Sequence, residues 1–136
     1  MVEERPESAE VLLLAAGAAI AVGAIVVVLA GSAGHPSVGP IGLHRIGQAL
    51  FVAGFALGGG YHYVLGHGLQ AAGFGCLAVA WGLLFVDWLL EPLLSGAYIP
   101  LLVAVLALGA ALVVLGIFGD AQRLREIVPT ERVTGR

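Results

Sequence analysis

From Val11 to Ala30 the chain runs for twenty residues without one polar side chain. A helix in water keeps a polar face, so this segment has no soluble solution. About 20 apolar residues are what a helix needs to cross the hydrocarbon core of a bilayer. Three further segments match that length, at residues 43–65, 69–90 and 98–118. In hydrocarbon every backbone polar group must be satisfied within the segment, which selects helices. The runs are continuous rather than alternating, which excludes a β-barrel.

The connections are short. Residues 31–42 hold Gly31, Ser32, Gly34, Pro36, Gly39 and Pro40, which is turn chemistry. Gly66-His67-Gly68 forces a tight hairpin, and residues 91–97 contain Pro92, Ser95 and Gly96. The expected fold is all-α, an integral membrane four-helix bundle of two antiparallel hairpins, forming one domain over residues 1–136. A polar tail covers residues 120–136, where Pro129 ends any helix begun at Asp120.

Composition agrees. The chain is 60% hydrophobic and 11% charged, against about 25% charged in soluble domains. The basic residues are all Arg and form no cluster on a polar surface, which does not suit nucleic-acid binding. Cys76 is the single cysteine and excludes an intrachain disulfide. The first ten residues carry Glu3, Glu4, Glu7 and Glu10 against Arg5. That is the reverse of a signal peptide's basic start, so the first span reads as uncleaved. Arg5, Arg123, Arg125, Arg132 and Arg136 share one side of the membrane, and Arg45 lies near the other. Arginine bias marks the cytoplasmic side. The expectation is a multi-pass protein of the cell membrane with both termini cytoplasmic.

The outer helices carry only packing signals. Ala15, Ala19 and Gly23 form a small-residue stripe on the first, and Ala97, Ala104 and Ala111 recur at spacing seven on the fourth. Polarity sits on the middle helices. His44 and His62 fall on one face of the second, about five turns apart, with Gln48 nearby and Gly47, Gly54 and Gly58 alongside. On the third, Asp87 and Glu91 share a face with Gly73, Cys76 and Ala80, while Phe74, Trp81, Phe85 and Trp88 lie opposite and are expected to meet lipid. Hairpin register puts Arg45 level with Asp87 and Glu91. His44, Arg45, Gln48, Asp87 and Glu91 therefore make one candidate intramembrane cluster. A second polar group, His62, His67 and Gln70, lies at the turn.

Ionisable residues in a membrane are expensive and mark either an ion-pair clasp or a functional site. Here they lie near the interface, where a structural clasp is the simpler reading. No His-Glu-x-x-His spacing, phosphate loop or nucleophile with its base at one depth is present. No metal site and no enzymatic activity are expected. The segment Ile41-Gly42-Leu43-His44-Arg45-Ile46-Gly47 resembles the His-Arg segment that opens a helix in the cytochrome b anchor subunits of succinate dehydrogenase, which implies haem b. That family follows the pair with Ser or Thr and Gly, whereas Ile46-Gly47-Gln48 follows here. Its anchors usually have three spans, and its haem-binding His segment has no counterpart, so the function is not carried over. In composition and hydropathy the chain is similar to uncharacterised four-span membrane proteins of halophilic archaea.

Three functions follow as expectations. The first is a non-catalytic accessory or structural subunit of a membrane complex, or a self-associating bundle, with the bilayer and other membrane subunits or itself as partners. The second is a small transporter or channel using Arg45, Asp87 and Glu91. The third is a haem-bearing electron-transfer anchor.

Overall fold

The computed structural model describes residues 7–34, 37–38, 41–87 and 98–127, with side chains to residue 86 in the third helix and 122 in the fourth. Four helices make up almost all of it. They are α1 (Glu7–Ser32), α2 (Leu43–Val64), α3 (Gly68–Asp87) and α4 (Tyr98–Ile127). The loop after α1 contains a minimal antiparallel pair, β1 (Ser37–Val38) and β2 (Ile41–Gly42). The all-α expectation holds. The side chain of Asp87 and the whole of Trp88, Glu91 and Ala97 lie outside the described residues.

Two boundaries differ from expectation. α1 begins four residues early, with Glu7 and Glu10 in its first turn, where carboxylates favour the exposed N–H groups. α4 does not stop at Phe118 but continues through Asp120 to Ile127. No proline lies between Phe118 and Ile127, and the position before Pro129 disfavours helical geometry. The polar tail is therefore helical for its first two turns.

Three helices, α1, α3 and α4, are long and apolar enough to cross a membrane. α2 has the length, at 22 residues, but His44, Arg45, Gln48, Tyr61, His62 and Tyr63 reduce its apolarity below that of the others. It is flanked on both sides, by α1 and by α3. A polar helix is cheaper in a bilayer when neighbouring helices shield it.

Each helix packs on its successor, α1 on α2, α2 on α3 and α3 on α4, and among the described residues no comparable interface joins α1 to α4. The outer seams are built from small residues at spacing seven, the period of left-handed helix packing. On α1 the buried ridge is Ala9, Ala16, Gly23 and Ala30. Ala15 and Ala19, expected in the seam, are only half-buried. Facing the ridge are Gly47 and Gly54 of α2, close enough that a Cβ on Gly47 would stand 3.0 Å from the Gly23 carbonyl oxygen. On α4 the ridge is Leu102, Gly109 and Gly116, whereas Ala104 and Ala111 are exposed. On α4 the period read from the sequence is right and the phase is wrong; on α1 the observed period is seven rather than four, and Gly23 is common to both.

The central seam is different in kind. Phe51 stacks on Trp81 at 4.6 Å between ring centroids, and Phe55 meets Phe74 at 6.1 Å. Gly58 opens room for the Phe74 ring. Phe74 and Trp81 therefore pack between α2 and α3 rather than facing lipid. The small faces of these helices also do not meet each other. Gly47 and Gly54 face α1, while Gly73 approaches Gly109 of α4. The pairs Phe51–Trp81 and Gly58–Phe74 share one antiparallel register. Continued six residues, that register brings the backbone of residue 87 to the depth of Arg45.

Candidate functional site

The site begins with the way α2 ends. Gly66 has φ of 76°, a left-handed conformation that suits glycine. Its N–H donates to the Tyr63 carbonyl at 3.0 Å, and His67 N–H donates to the His62 carbonyl at 2.9 Å. This is the Schellman arrangement, in which the residue two past the helix cap returns over the residue three before it. Those two residues here are His67 and His62, and their imidazole centroids lie 5.9 Å apart. The cap thus sets two histidines side by side. The His67 carbonyl then accepts from Ala71 N–H and starts α3.

Gln70 follows one turn into α3 and is 6% exposed. It lies across Gly116 of α4, where a Cβ would stand 2.5 Å from Gln70 Cγ. Gln70 Nε2 donates to Asp120 Oδ2 at 3.1 Å, and His67 Nε2 lies 3.8 Å from the same oxygen. This second contact is an ion pair when the imidazole is protonated. One carboxylate on α4 thereby joins α3 and the α2–α3 turn. His62 packs on the Phe74 ring at 5.0 Å and comes close to the Gln70 amide. Among the described residues, His62 Nδ1, His67 Nδ1 and Gln70 Oε1 are buried and make no hydrogen bond of good geometry. Beside them a pocket of about 140 Å³ is lined by His67, Gln70, Asp120 and the glycines Gly66, Gly68, Gly116 and Gly119.

The structure thus brings His62, His67 and Gln70 together as the spacing implied and adds Asp120, which the sequence reading left in the tail. The available signal was the proline-free stretch from Phe118 to Ile127, which carries Asp120 two residues past the expected end of the span. Among the described residues no three His, Cys, Asp or Glu side chains are placed to hold a metal ion.

At the opposite end of α2, the His44 ring folds back over Gly42. His44, Arg45 and Gln48 are half-buried, and His44 and Arg45 have interaction partners. The proposed meeting of Arg45 with Asp87 and Glu91 falls on side chains outside the described residues.

Compared with protein-family models, with curated proteins and with solved structures, the chain matches none.

Proposed function

We propose that the chain is a non-catalytic integral membrane protein, either a small accessory subunit of a membrane complex or a bundle that associates with itself. It crosses the cell membrane with both termini in the cytoplasm. The observation that carries this reading is a groove of about 580 Å³ along α2 and α3, lined by residues such as Ala56, Gly60, Tyr63, Ala72 and Gly75. At Gly60 and Gly75 an added Cβ would meet nothing within 4 Å. Glycine inside a helix costs about 0.5–1 kcal/mol relative to alanine, and the chain's own packing does not require it at these positions. Small residues on a membrane helix permit close approach of another helix. α1 and α4, each with one substantial interface, leave further apolar surface to such a partner.

A transport route is less well supported. Polar groups stand at both ends of α2, and Phe51, Phe55, Phe74 and Trp81 fill the seam between them.

Gentle extraction followed by sizing and identification of co-purifying chains tests the proposal. The expected result is an oligomer or a stable partner, lost in Gly60→Leu and Gly75→Leu while helicity is kept. A monomer with nothing attached, unchanged by either substitution, would remove it.

A further inference from the structure

We propose that the contact between the α2–α3 turn and α4 is a latch worked by a proton. With His67 protonated, the turn holds Asp120 and with it the polar end of α4; when the proton leaves, that end is released. His67 Nε2 stands 3.8 Å from Asp120 Oδ2. In the protonated ring both nitrogens carry hydrogen, so a cation faces the carboxylate whichever tautomer the neutral ring adopts. An imidazole is the side chain that gains and loses such a charge near neutral pH. His67 and Asp120 are each about 40% exposed, so protons reach both from solvent.

The surroundings leave the end of α4 able to move. Gly119 stands directly before Asp120, and a Cβ there would meet nothing within 4 Å. Packing therefore does not require glycine at this position, and glycine weakens a helix interior, which gives α4 a place to bend. The space of about 140 Å³ between the turn and α4 is filled by no side chain, so apolar packing there does not override the polar contacts. From Asp120 the helix runs on to Ile127.

The titratable groups near His67 come from its neighbouring helices. Among the described residues, α4 supplies Asp120, and α3 supplies the neutral Gln70. α2 supplies His62, its ring centroid 5.9 Å from that of His67, and Tyr61 against the His62 ring. The Tyr61 phenol is neutral below about pH 9. α1 lies antiparallel to α2, with Gly23 on Gly47 and Ala16 on Gly54, so it begins at this end, where Glu7 and Glu10 are exposed. A second proton on His62 would set like charges side by side and oppose the latch. The closed form therefore carries one proton. Protonation of His67 adds an attraction that the neutral ring lacks, so closure is favoured on the acid side of the imidazole range and lost as pH rises through it.

A nitroxide at Gln122→Cys, an exposed position two residues past Asp120, reads the end of α4 in the full chain with Cys76→Ala, reconstituted in nanodiscs. The ratio of immobile to mobile spectral components should fall about two- to fivefold from about pH 5.5 to about pH 8.5, the range a half-exposed ion pair supports. Salt at about 1 M, where the screening length is about 3 Å, should flatten that profile without any substitution at the latch. His67→Gln and Asp120→Asn should each leave the ratio low and independent of pH. His67→Lys, charged throughout, should keep it high and independent of pH, which loss of shape at the turn would not do. His62→Phe should retain the pH dependence. A parent ratio that does not change with pH overturns the proposal. So does a profile untouched by salt, or one that survives His67→Gln or disappears only in His62→Phe. The latch needs no partner chain, so it stands or falls apart from the sizing result.

Discussion

The outer seams and the central seam hold helices together by opposite means. Between α1 and α2, and again between α3 and α4, glycine lies on backbone. A Cβ at Gly73 would stand 2.7 Å from the Gly109 carbonyl oxygen and 2.8 Å from Val113 N. Between α2 and α3 large rings fill the space, as Phe51 on Trp81 and Phe74 over Gly58. In the bilayer placement proposed above, lipid is as apolar as any side chain, so no hydrophobic gain favours either seam, and close packing must supply the attraction. Glycine seams obtain it through backbone proximity. The aromatic seam obtains it through ring area, with about 0.5–1.5 kcal/mol per favourable ring pair beyond burial. The first kind has no slack, because backbone cannot rotate away. The second can adjust a ring.

That contrast is broken most severely at Gly73. Gly73→Leu should destabilise the bundle by about 3 kcal/mol or more, toward the upper end of overpacking costs, since both obstacles are backbone atoms. Thermal unfolding in detergent, read by helical circular dichroism, should show α3 and α4 separating early. A variant within 1 kcal/mol of the parent would mean that the α3–α4 approach is looser than the seam implies. Trp81→Ala comes next. Full truncation of a buried large aromatic costs about 3–5 kcal/mol, and Trp81 is only half-buried, so about 2 kcal/mol is expected. Quenching by lipid-borne bromine should meanwhile leave Trp81 fluorescence partly protected in the parent. Quenching as strong as that of a fully exposed indole would place this face against lipid after all.

Asp120→Asn asks whether the end of the bundle behaves as a third kind of contact. The substitution keeps an acceptor for Gln70 Nε2 and removes the charge that His67 approaches at 3.8 Å. With both partners of that contact about 40% exposed, solvent weakens the ion pair, and at a pH that protonates the imidazole a loss of about 0.5–1 kcal/mol is expected. The loss should shrink at high salt, which the same melts can follow. A salt-independent loss would assign the effect to the hydrogen bond with Gln70 instead.

These contacts divide cleanly by what the sequence could reveal. Helix number, the tight turn at Gly66 and the antiparallel register of α2 and α3 were legible, because length, glycine placement and a three-residue turn leave little freedom. Burial of Gly47, Gly54, Gly58, Gly73 and Ala80 was legible too. Their partners were not. In water, a polar face tells which side of a helix turns outward. In α1, α3 and α4 both sides are apolar, so Phe74 and Trp81 read equally well as lipid-facing or as packed. Alanine is so frequent that Ala104 and Ala111 formed a regular stripe by abundance alone, while the true ridge ran through Leu102, Gly109 and Gly116. Histidines 62 and 67 with Gln70 were visible as a group from the turn. Asp120 was missed because apolarity ends at Phe118 and the helix does not.

The smallest expected effect separates glycines the fold uses from glycines it does not. Gly82 lies on α3, nine residues beyond Gly73, and a Cβ there would meet nothing within 4 Å. Alanine restores helix propensity and restricts the unfolded chain. Gly82→Ala should therefore stabilise the isolated protein by about 0.5–1 kcal/mol, whereas Gly73→Ala, one helix face away, should destabilise it. The sign difference arises within one helix and one substitution type, so propensity cancels and packing alone remains. Measuring the pair twice sharpens the result. In detergent, with the chain alone, the opposite signs should appear. In gently extracted native membranes, a partner helix seated on Gly82 would meet the new methyl group, and the gain should vanish or reverse. If Gly82→Ala stabilises equally in both settings, that face of α3 is covered by lipid, and any partner must sit elsewhere on the bundle.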